Sequence, residues 1–292
     1  MKNKKLNLIF IILIFTFFLG KFINTYKVYY NSIPTTSTKE MTIHYIDVGQ
    51  GDAALIQVNN KNLLIDSGPK SNRTNLINYL DSLNIYTIDY VIATHPHEDH
   101  IGNMAQIINK YNILNFYAPK IEHSTKTFEQ MIEALKNKNL KIKILKEGTN
   151  SINLGNDINI NVLSPTRSEY ENLNNYSPVI RLEFKNNSFL FTGDAEELVE
   201  NDILNNNCIL SSDVIKIGHH GSSTSTSEAF IKAVNPSIAI ISVGADNTYG
   251  HPNKDILSLL YQNKIKVYRT DIDSTIVLTS DGEKIYKLNN SL

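Results

Sequence analysis

Cysteine is almost absent: Cys208 stands alone in 292 residues. No intrachain disulfide can form, a thiolate-rich metal site is excluded, and nothing in the chain demands an oxidising compartment or forbids one. Internal repeats and low-complexity blocks are missing, although asparagine is frequent. Acidic residues are missing from the first 39 positions, which carry six of the 28 lysines and arginines: Lys2, Lys4, Lys5, Lys21, Lys27 and Lys39. From Glu40 onward 22 basic residues face 29 acidic ones, a balance of −7. That sign argues against strong non-specific nucleic-acid binding, which needs clustered cations to release counterions from phosphates; only a local basic groove stays open. The rest is an ordinary globular composition, 41% hydrophobic and 20% charged, long enough to bury one large core or two small ones.

Long apolar runs are also scarce. One stretch stands out, Leu6 to Ile23, interrupted by Asn7, Thr16 and Lys21, close to the roughly 18-residue lower limit for a spanning helix. It follows the basic start "MKNKK", and neither a small-x-small cleavage site nor a lipobox cysteine follows it. Residues 1–24 are therefore expected to be an uncleaved signal anchor, a single transmembrane helix. By the positive-inside rule Lys2, Lys4 and Lys5 stay in the cytoplasm and the remainder is extracytoplasmic. Secretion after cleavage is the alternative. Residues 25–40, with the polar "NSIPTTSTKE", read as a flexible tether, and 41–292 as the domain proper.

Beyond the tether, short β-rich runs alternate with helical periods. "MTIHYIDV", "AALIQV" and "NLLIDSG" read as a strand meander. Helical spacing appears in "NLINYLDSL", "IGNMAQIINKY", "FEQMIEALKN", "AEELVENDILNN", "SEAFIKAV" and "NKDILSLLYQN". Strands are expected in "DYVIAT", "LKIKIL", "ININVL", "VIRLEF", "SFLFTG", "DVIKIG", "SIAIIS", "KIKVYRT" and "STIVLTS". These are more strands than one doubly wound sheet needs. The expected fold class is α/β, two sheets packed face to face with helices outside.

Histidine is scarce too, at eight residues, yet three of them fall in the ten-residue stretch "ATHPHEDHIG". His95 and His97 alternate on an extended segment leaving a strand, so their imidazoles can point the same way. Asp99 and His100 stand where the next helix begins. Four candidate ligands thus come together without long-range folding, and the lack of thiolates favours zinc, manganese or iron in a mixed N/O site. A solvated polar loop would not concentrate histidine in this manner. His44, within a strand, and His123, before a helix, read as structural or surface residues.

"THPHEDH" resembles the HxHxDH signature of the metallo-β-lactamase fold, an αββα sandwich with one or two metals at the sheet edge. The resemblance is closer to the hydrolase domain of the ComEC/Rec2 competence proteins and their stand-alone relatives. It is carried in order by "HYIDVGQGDAALI", "LLIDSG", "HPHEDHIGN", "NNYSPVIRLEF", "FLFTGDAE", "DVIKIGHHGSSTS", "SVGADNTYGHP" and "VYRTD", over about residues 41–288. It implies His95 and His97 on a first metal, Asp99 and His100 on a second, Asp194 bridging both, and His251 as the terminal ligand of the second. The lactamases take a third histidine for the first metal from between the HxHxDH loop and the bridging aspartate. Here only His123 lies in that interval, and "NNYSP" stands in the matching place. The missing ligand is expected from "GHHGS": His220, beside the small Gly221, with His219 as an outer group or proton donor to the leaving group. Asp66 is expected to orient an imidazole from behind.

The cofactors so implied are two divalent ions, Zn²⁺ or Mn²⁺. A pair about 3.5–4 Å apart can hold a bridging water, lower its pKa toward about 7 and present hydroxide at neutral pH. Asp99 then has a catalytic as well as a ligating role. Asn175, Ser177, Ser222 and Ser223 are the expected substrate contacts, with the N-terminus of "SEAFIKAV" as a rest for a phosphate oxygen and Lys216 and Arg181 as candidate cations. The resemblance implies a nuclease acting on the DNA strand that is not imported, so the expected partners are a phosphodiester such as single-stranded DNA, the membrane, and a competence or cell-surface complex. Without the polytopic region of ComEC itself, the chain is not expected to be the channel. A choline-phosphate esterase or lactonase on the same metals is one alternative, since fold does not choose among them. A non-catalytic competence accessory module is another.

Overall fold

The computed structural model describes residues 40–206 and 208–288. The expected anchor and, apart from Glu40, the tether lie outside the described residues. Among the described residues no helix is long and apolar enough to cross a membrane.

The described chain is built twice on one plan. An antiparallel meander, β1 (Met41–Tyr45), β2 (Ala54–Val58) and β3 (Lys61–Ile65), is followed by helix α1 (Arg73–Ser82). Next come β4 (Thr87–Ile88), β5 (Tyr90–Ile92), α2 (Glu98–Ile101), α3 (Met104–Lys110), β6 (Asn112–Ile113), β7 (Phe116–Ala118), α4 (Lys126–Asn137) and β8 (Ile142–Ile144). Here β3, β5, β7 and β8 are parallel neighbours, while β4 and β6 pair apart. The second half repeats the scheme with the antiparallel β9 (Ile158–Val162), β10 (Ile180–Phe184) and β11 (Asn187–Phe191). Helix α5 (Glu197–Asn205), β12 (Val214–Lys216), α6 (Glu228–Val234), β13 (Ile238–Ile241), α7 (Lys254–Gln262) and β14 (Lys266–Arg269) continue it, β11 to β14 running parallel. After the short α8 (Thr270–Asp273), β15 (Ile276–Ser280) and β16 (Ile285–Lys287) return to the first sheet beside β1. The sheet orders are β16-β15-β1-β2-β3-β5-β7-β8 and β14-β13-β12-β11-β10-β9.

Strand periodicity divides the apolar side chains between three cores. Ile56 and Val58 of β2, Leu63 and Ile65 of β3, Leu182 and Phe184 of β10 and Phe189 and Phe191 of β11 meet between the sheets. Their alternates point outward: Leu55 and Leu64 onto Leu76, Leu80, Met104 and Met131 of the first helical layer, Leu190 and Ile215 onto Val199, Phe230 and Leu260 of the second. Strands covered on both faces read as nearly continuous apolar runs, which is why they were legible. The architecture is the expected αββα sandwich.

Two local readings change. The helical period over 101–111 is broken into α2 and α3, because Asn103 turns inward and donates from Nδ2 to the Ser67 and Pro69 carbonyls at 2.9 and 2.7 Å. The histidine loop is thereby fastened to the segment leaving β3. The short strands β4, β6, β7 and β16 have too few residues for a period to be read.

Candidate metal centre

Every candidate ligand lies beyond the carboxyl end of a parallel strand. Asp66 follows β3, His95 follows β5, Asp194 follows β11, His219 and His220 follow β12, and His251 follows β13. Helical crossovers leave that end of an α/β sheet to loops, where such folds place their ligands. The turns are forced: Asp66, His219 and His220 all have positive φ, at 61°, 48° and 55°, a backbone region costly for these residues and concentrated at functional sites.

One carboxylate organises the cluster. Asp194, 1% exposed, has its Oδ2 at 3.2 Å from His100 Nε2 and at 3.7 Å from Nε2 of each of His95, His219 and His220. His220 Nε2 is also 3.2 Å from Asp99 Oδ2, and His97 Nδ1 is 3.0 Å from His95 Nε2. The His251 ring lies 5.6 Å from that of His219 and 6.4 Å from that of His220. Asp99, His100, Asp194 and His220 each offer a ligand atom, all within 4.8 Å of one another. His100 Nε2, Asp194 Oδ1 and His251 Nδ1 are buried without a hydrogen-bond partner. Orphaned polar atoms of this kind are costly unless something binds them, and the imidazole and carboxylate donor set fits divalent ions.

The far nitrogens explain the aim of the near ones. His100 Nδ1 donates to Asp66 Oδ2 at 2.8 Å, and His220 Nδ1 donates to the Ser242 carbonyl at 2.9 Å. His95 Nδ1 lies between Thr94 Oγ1 at 3.1 Å and Ser177 Oγ at 3.2 Å, and His219 Nδ1 is 3.1 Å from Thr224 Oγ1. With Nδ1 held, each ring presents Nε2 to Asp194, and for His95, His100 and His220 this is the outer-group arrangement usual for metal-ligating histidines. Asp66 in turn accepts from Thr94 N and Oγ1 at 2.8 and 2.7 Å.

Electrostatics follow from this crowding. Burial opposes charge on His100, yet Asp194, Asp99 and Asp66 around it hold its pKa well above the ordinary value. Burial opposes charge on His220 too, but Asp194, Asp52 and Asp99 push it up to about 9. Asp194 is held well below the usual carboxylate range despite burial, because His100 and His220 face it. His95 is driven well below its usual pKa, first by burial and then by the neighbouring His100. A divalent ion competes with protons for the Nε2 atoms, so its binding must release them.

The structure relocates several expected residues. His220, expected to complete the first metal's set beside His95 and His97, instead lies against Asp99, with its ring 5.3 Å from that of His100. Ser177 and Asn175 are buried beneath the cleft rather than facing substrate. Ser177 Oγ accepts from Asp194 N at 3.1 Å, and Asn175 Oδ1 accepts from Glu196 N at 3.0 Å. Ser222 Oγ is 3.2 Å from Thr224 Oγ1, and Ser223 is exposed away from the cleft walls. The N-terminus of α6 is already taken: the Glu200 carboxylate accepts from Thr226 N and Ser227 N, leaving no place for a phosphate oxygen. Lys216 is buried against Asp52, and Arg181 is buried in a pair with Glu183 while donating to the Ser211 carbonyl; neither faces the cleft. His44 is buried between Tyr79 and Gln57, and His123 is half-buried beside Thr125.

Asp52, in "VGQGD", joins the site without any mark in the sequence beyond that short glycine-rich turn. Its Oδ1 lies 3.4 Å from His220 Nδ1, so the Asp52–Lys216 pair supports that ring. Above the cluster opens a cleft of about 340 Å³ whose walls, besides ligand candidates, are Gln50, Glu98 and Tyr249. A larger groove, about 710 Å³, runs between α4 and β8, but its walls include one histidine, His123, and no ligand cluster.

This fold and donor set define a metallo-hydrolase, and the chain belongs to the metallo-beta-lactamase superfamily, whose family model matches residues 46–245. Its relatives include Competence protein ComA of Neisseria gonorrhoeae, 26% identical over 242 residues, covering 81% of this chain and 32% of that protein. The chain is 32% identical over 257 residues to ComE operon protein 3 of Bacillus subtilis, covering 82% of this chain and 33% of that protein. It is 28% identical over 236 residues to Recombination protein 2 of Haemophilus influenzae, covering 79% and 28%. These matches place it in the ComEC/Rec2-like subgroup, and it spans about a third of the relatives' length. Among solved structures, the metallo-beta-lactamase fold protein YhfI of Bacillus subtilis aligns with a TM-score of 0.55 at 13% identity, over 82% of this chain and 99% of that one. The metallo hydrolase Igni18 of Ignicoccus hospitalis aligns at 0.53 and 17% identity, over 81% and 98%. These two share the fold.

Proposed function

We propose that this chain is a phosphodiesterase of the ComEC type, using Zn²⁺ or Mn²⁺, anchored by residues 1–24 with its domain outside the cytoplasm and acting on single-stranded DNA. The observation that carries the reading is the buried Asp194 Oδ2 ringed by four imidazole Nε2 atoms at the floor of an open cleft. Competence and recombination are named in the relatives, which favours a nucleic-acid diester over a lactone.

His95, His97, Asp99, His100, Asp194, His220 and His251 would hold the ions, which supply a Lewis acid and a water made acidic enough to attack at neutral pH. Around them the chain's own groups divide the labour. Asp66 and the Ser242 carbonyl fix the tautomers of His100 and His220 so that both Nε2 atoms face inward. Asp99, whose pKa is lowered by His100 and His220 against the effect of burial, is an anionic acceptor on the cleft wall. His219 is partly exposed there, its Nδ1 near Thr224 and Glu196, and its Nε2 can hold the proton that the leaving oxygen takes.

Full-length protein in detergent, assayed with each metal, should cleave labelled single-stranded DNA and a bis-aryl phosphodiester, and Asp194→Ala should abolish both activities together with metal binding. Turnover confined to a lactone or a choline-phosphate ester, with diesters untouched, would replace the reading. So would full metal content in Asp194→Ala.

A further inference from the structure

The metal cluster leaves unexplained the turn "DVGQGD", residues 47–52, which packs on the backbone of the histidine loop. Asp52 N donates to the Asp99 carbonyl at 3.1 Å, and a Cβ on Gly51 would lie 2.3 Å from that oxygen, so only glycine allows the approach. From the other sheet, Gly244 comes equally close: a Cβ there would lie 2.5 Å from Gln50 N. This contact lets Gly244 N donate to Gln50 Oε1 at 3.1 Å. The carboxamide is therefore oriented. Its oxygen is engaged, and its NH₂ group, on the cleft wall, meets no partner among the described residues.

The charge of the cleft gives that NH₂ a meaning. Among the described residues no lysine or arginine lines it, whereas Glu98, Asp99 and Asp194 do. Lys216 is buried and engaged with Asp52. Asp99 and Asp194 would be offset by the ions they hold, which leaves Glu98 as the uncompensated carboxylate on the wall and no cationic side chain there to receive the second charge of a phosphate monoester, dianionic near neutral pH. A diester carries one charge, and a neutral two-proton donor matches its non-bridging oxygen.

We propose that Gln50 contacts substrate as the hydrogen-bond donor to a non-bridging phosphate oxygen, and that it makes the cleft selective for diesters over monoesters. This rests on the phosphodiesterase reading above. The test uses full-length protein in detergent, loaded with Zn²⁺ or Mn²⁺, and two variants. Gln50→Glu keeps an acceptor for Gly244 N but removes the donors; Gln50→Met removes them without adding charge. Both should lower kcat/KM for a bis-aryl diester about 10- to 100-fold, the scale of a hydrogen bond to a charged group, with metal content unchanged and monoester rates little altered.

A readout independent of turnover is the Gln50 side-chain amide resonance in isotope-labelled protein, assigned by its loss in Gln50→Glu. It should shift with dimethyl phosphate, too stable to be hydrolysed, and stay in place with inorganic phosphate. Diester turnover within twofold of the parent in both variants, with the resonance unmoved, overturns the role of Gln50 and leaves the phosphodiesterase reading intact. A parent protein that binds metal but cleaves no diester overturns both.

Discussion

His219 and His220 are adjacent, both in left-handed backbone, yet their surroundings separate their tasks. His220 is 1% exposed, braced by Ser242 and Asp52 and aimed at Asp99 and Asp194. His220→Ala should therefore empty a metal site, measured as ion content after dialysis. His219→Ala should keep the metals and slow turnover about 10- to 100-fold, more for alkyl than for aryl leaving groups, since a proton donor matters most when the leaving group is poor. Metal loss from His219→Ala and not from His220→Ala would exchange the roles. The raised pKa of His220 has its own consequence. Folding lifts it from 6.5 to about 9, so chelated protein carries stability that is complete below about pH 6.5 and is lost as pH rises through 9. Metal binding should tighten over the same window as the competing proton leaves. Urea midpoints of chelated protein that climb between these pH values would contradict the assignment.

At the scale of elements, the segment after β13 ties two parts of the site together through one side chain. Asn247 donates from Nδ2 to the Gly244 carbonyl at 3.0 Å and to the His251 carbonyl at 2.6 Å, and its Oδ1 accepts from His251 N at 3.0 Å. It thus sets both the ligand His251 and the glycine that orients Gln50. Asn247→Ala should cost about 1–3 kcal/mol of stability, lower metal occupancy and raise KM for the diester. Asn247→Asp, which retains the acceptor, should recover part of the occupancy. Wild-type occupancy and KM in Asn247→Ala would show that this segment is held by other contacts.

For the whole molecule, the duplicated plan places parallel strands from both sheets with their carboxyl ends toward one cleft, so the ligands arrive from both halves of the chain. Asp66, His95, His97, Asp99 and His100 come from the first; Asp194, His219, His220 and His251 come from the second. No half can hold the donor set alone. The anchored reading makes a separate demand on topology. Protease added to intact protoplasts should remove the domain that follows the tether, and complete protection would reverse the proposed orientation.

The sandwich and most of the residues gathered around Asp194 are legible in the sequence alone. Strands buried on both faces need continuous apolar runs, and a histidine loop concentrates ligands within a few residues, so both leave local marks. Asp194 and His251 were legible through the resemblance, from short motifs at strand ends. Tertiary structure alone decided matters that depend on approach across sheets. It set His220 against Asp99 and Asp52, filled the α6 N-terminus with Glu200, engaged Lys216 and Arg181 away from the cleft, and buried Ser177 behind His95. The physical reason is common to all four. Spacing along the chain says which residue types are available and which face they can share. Whether a charge or hydroxyl meets substrate or another buried group depends on partners distant in sequence, such as the 121 positions that separate Asp99 from His220.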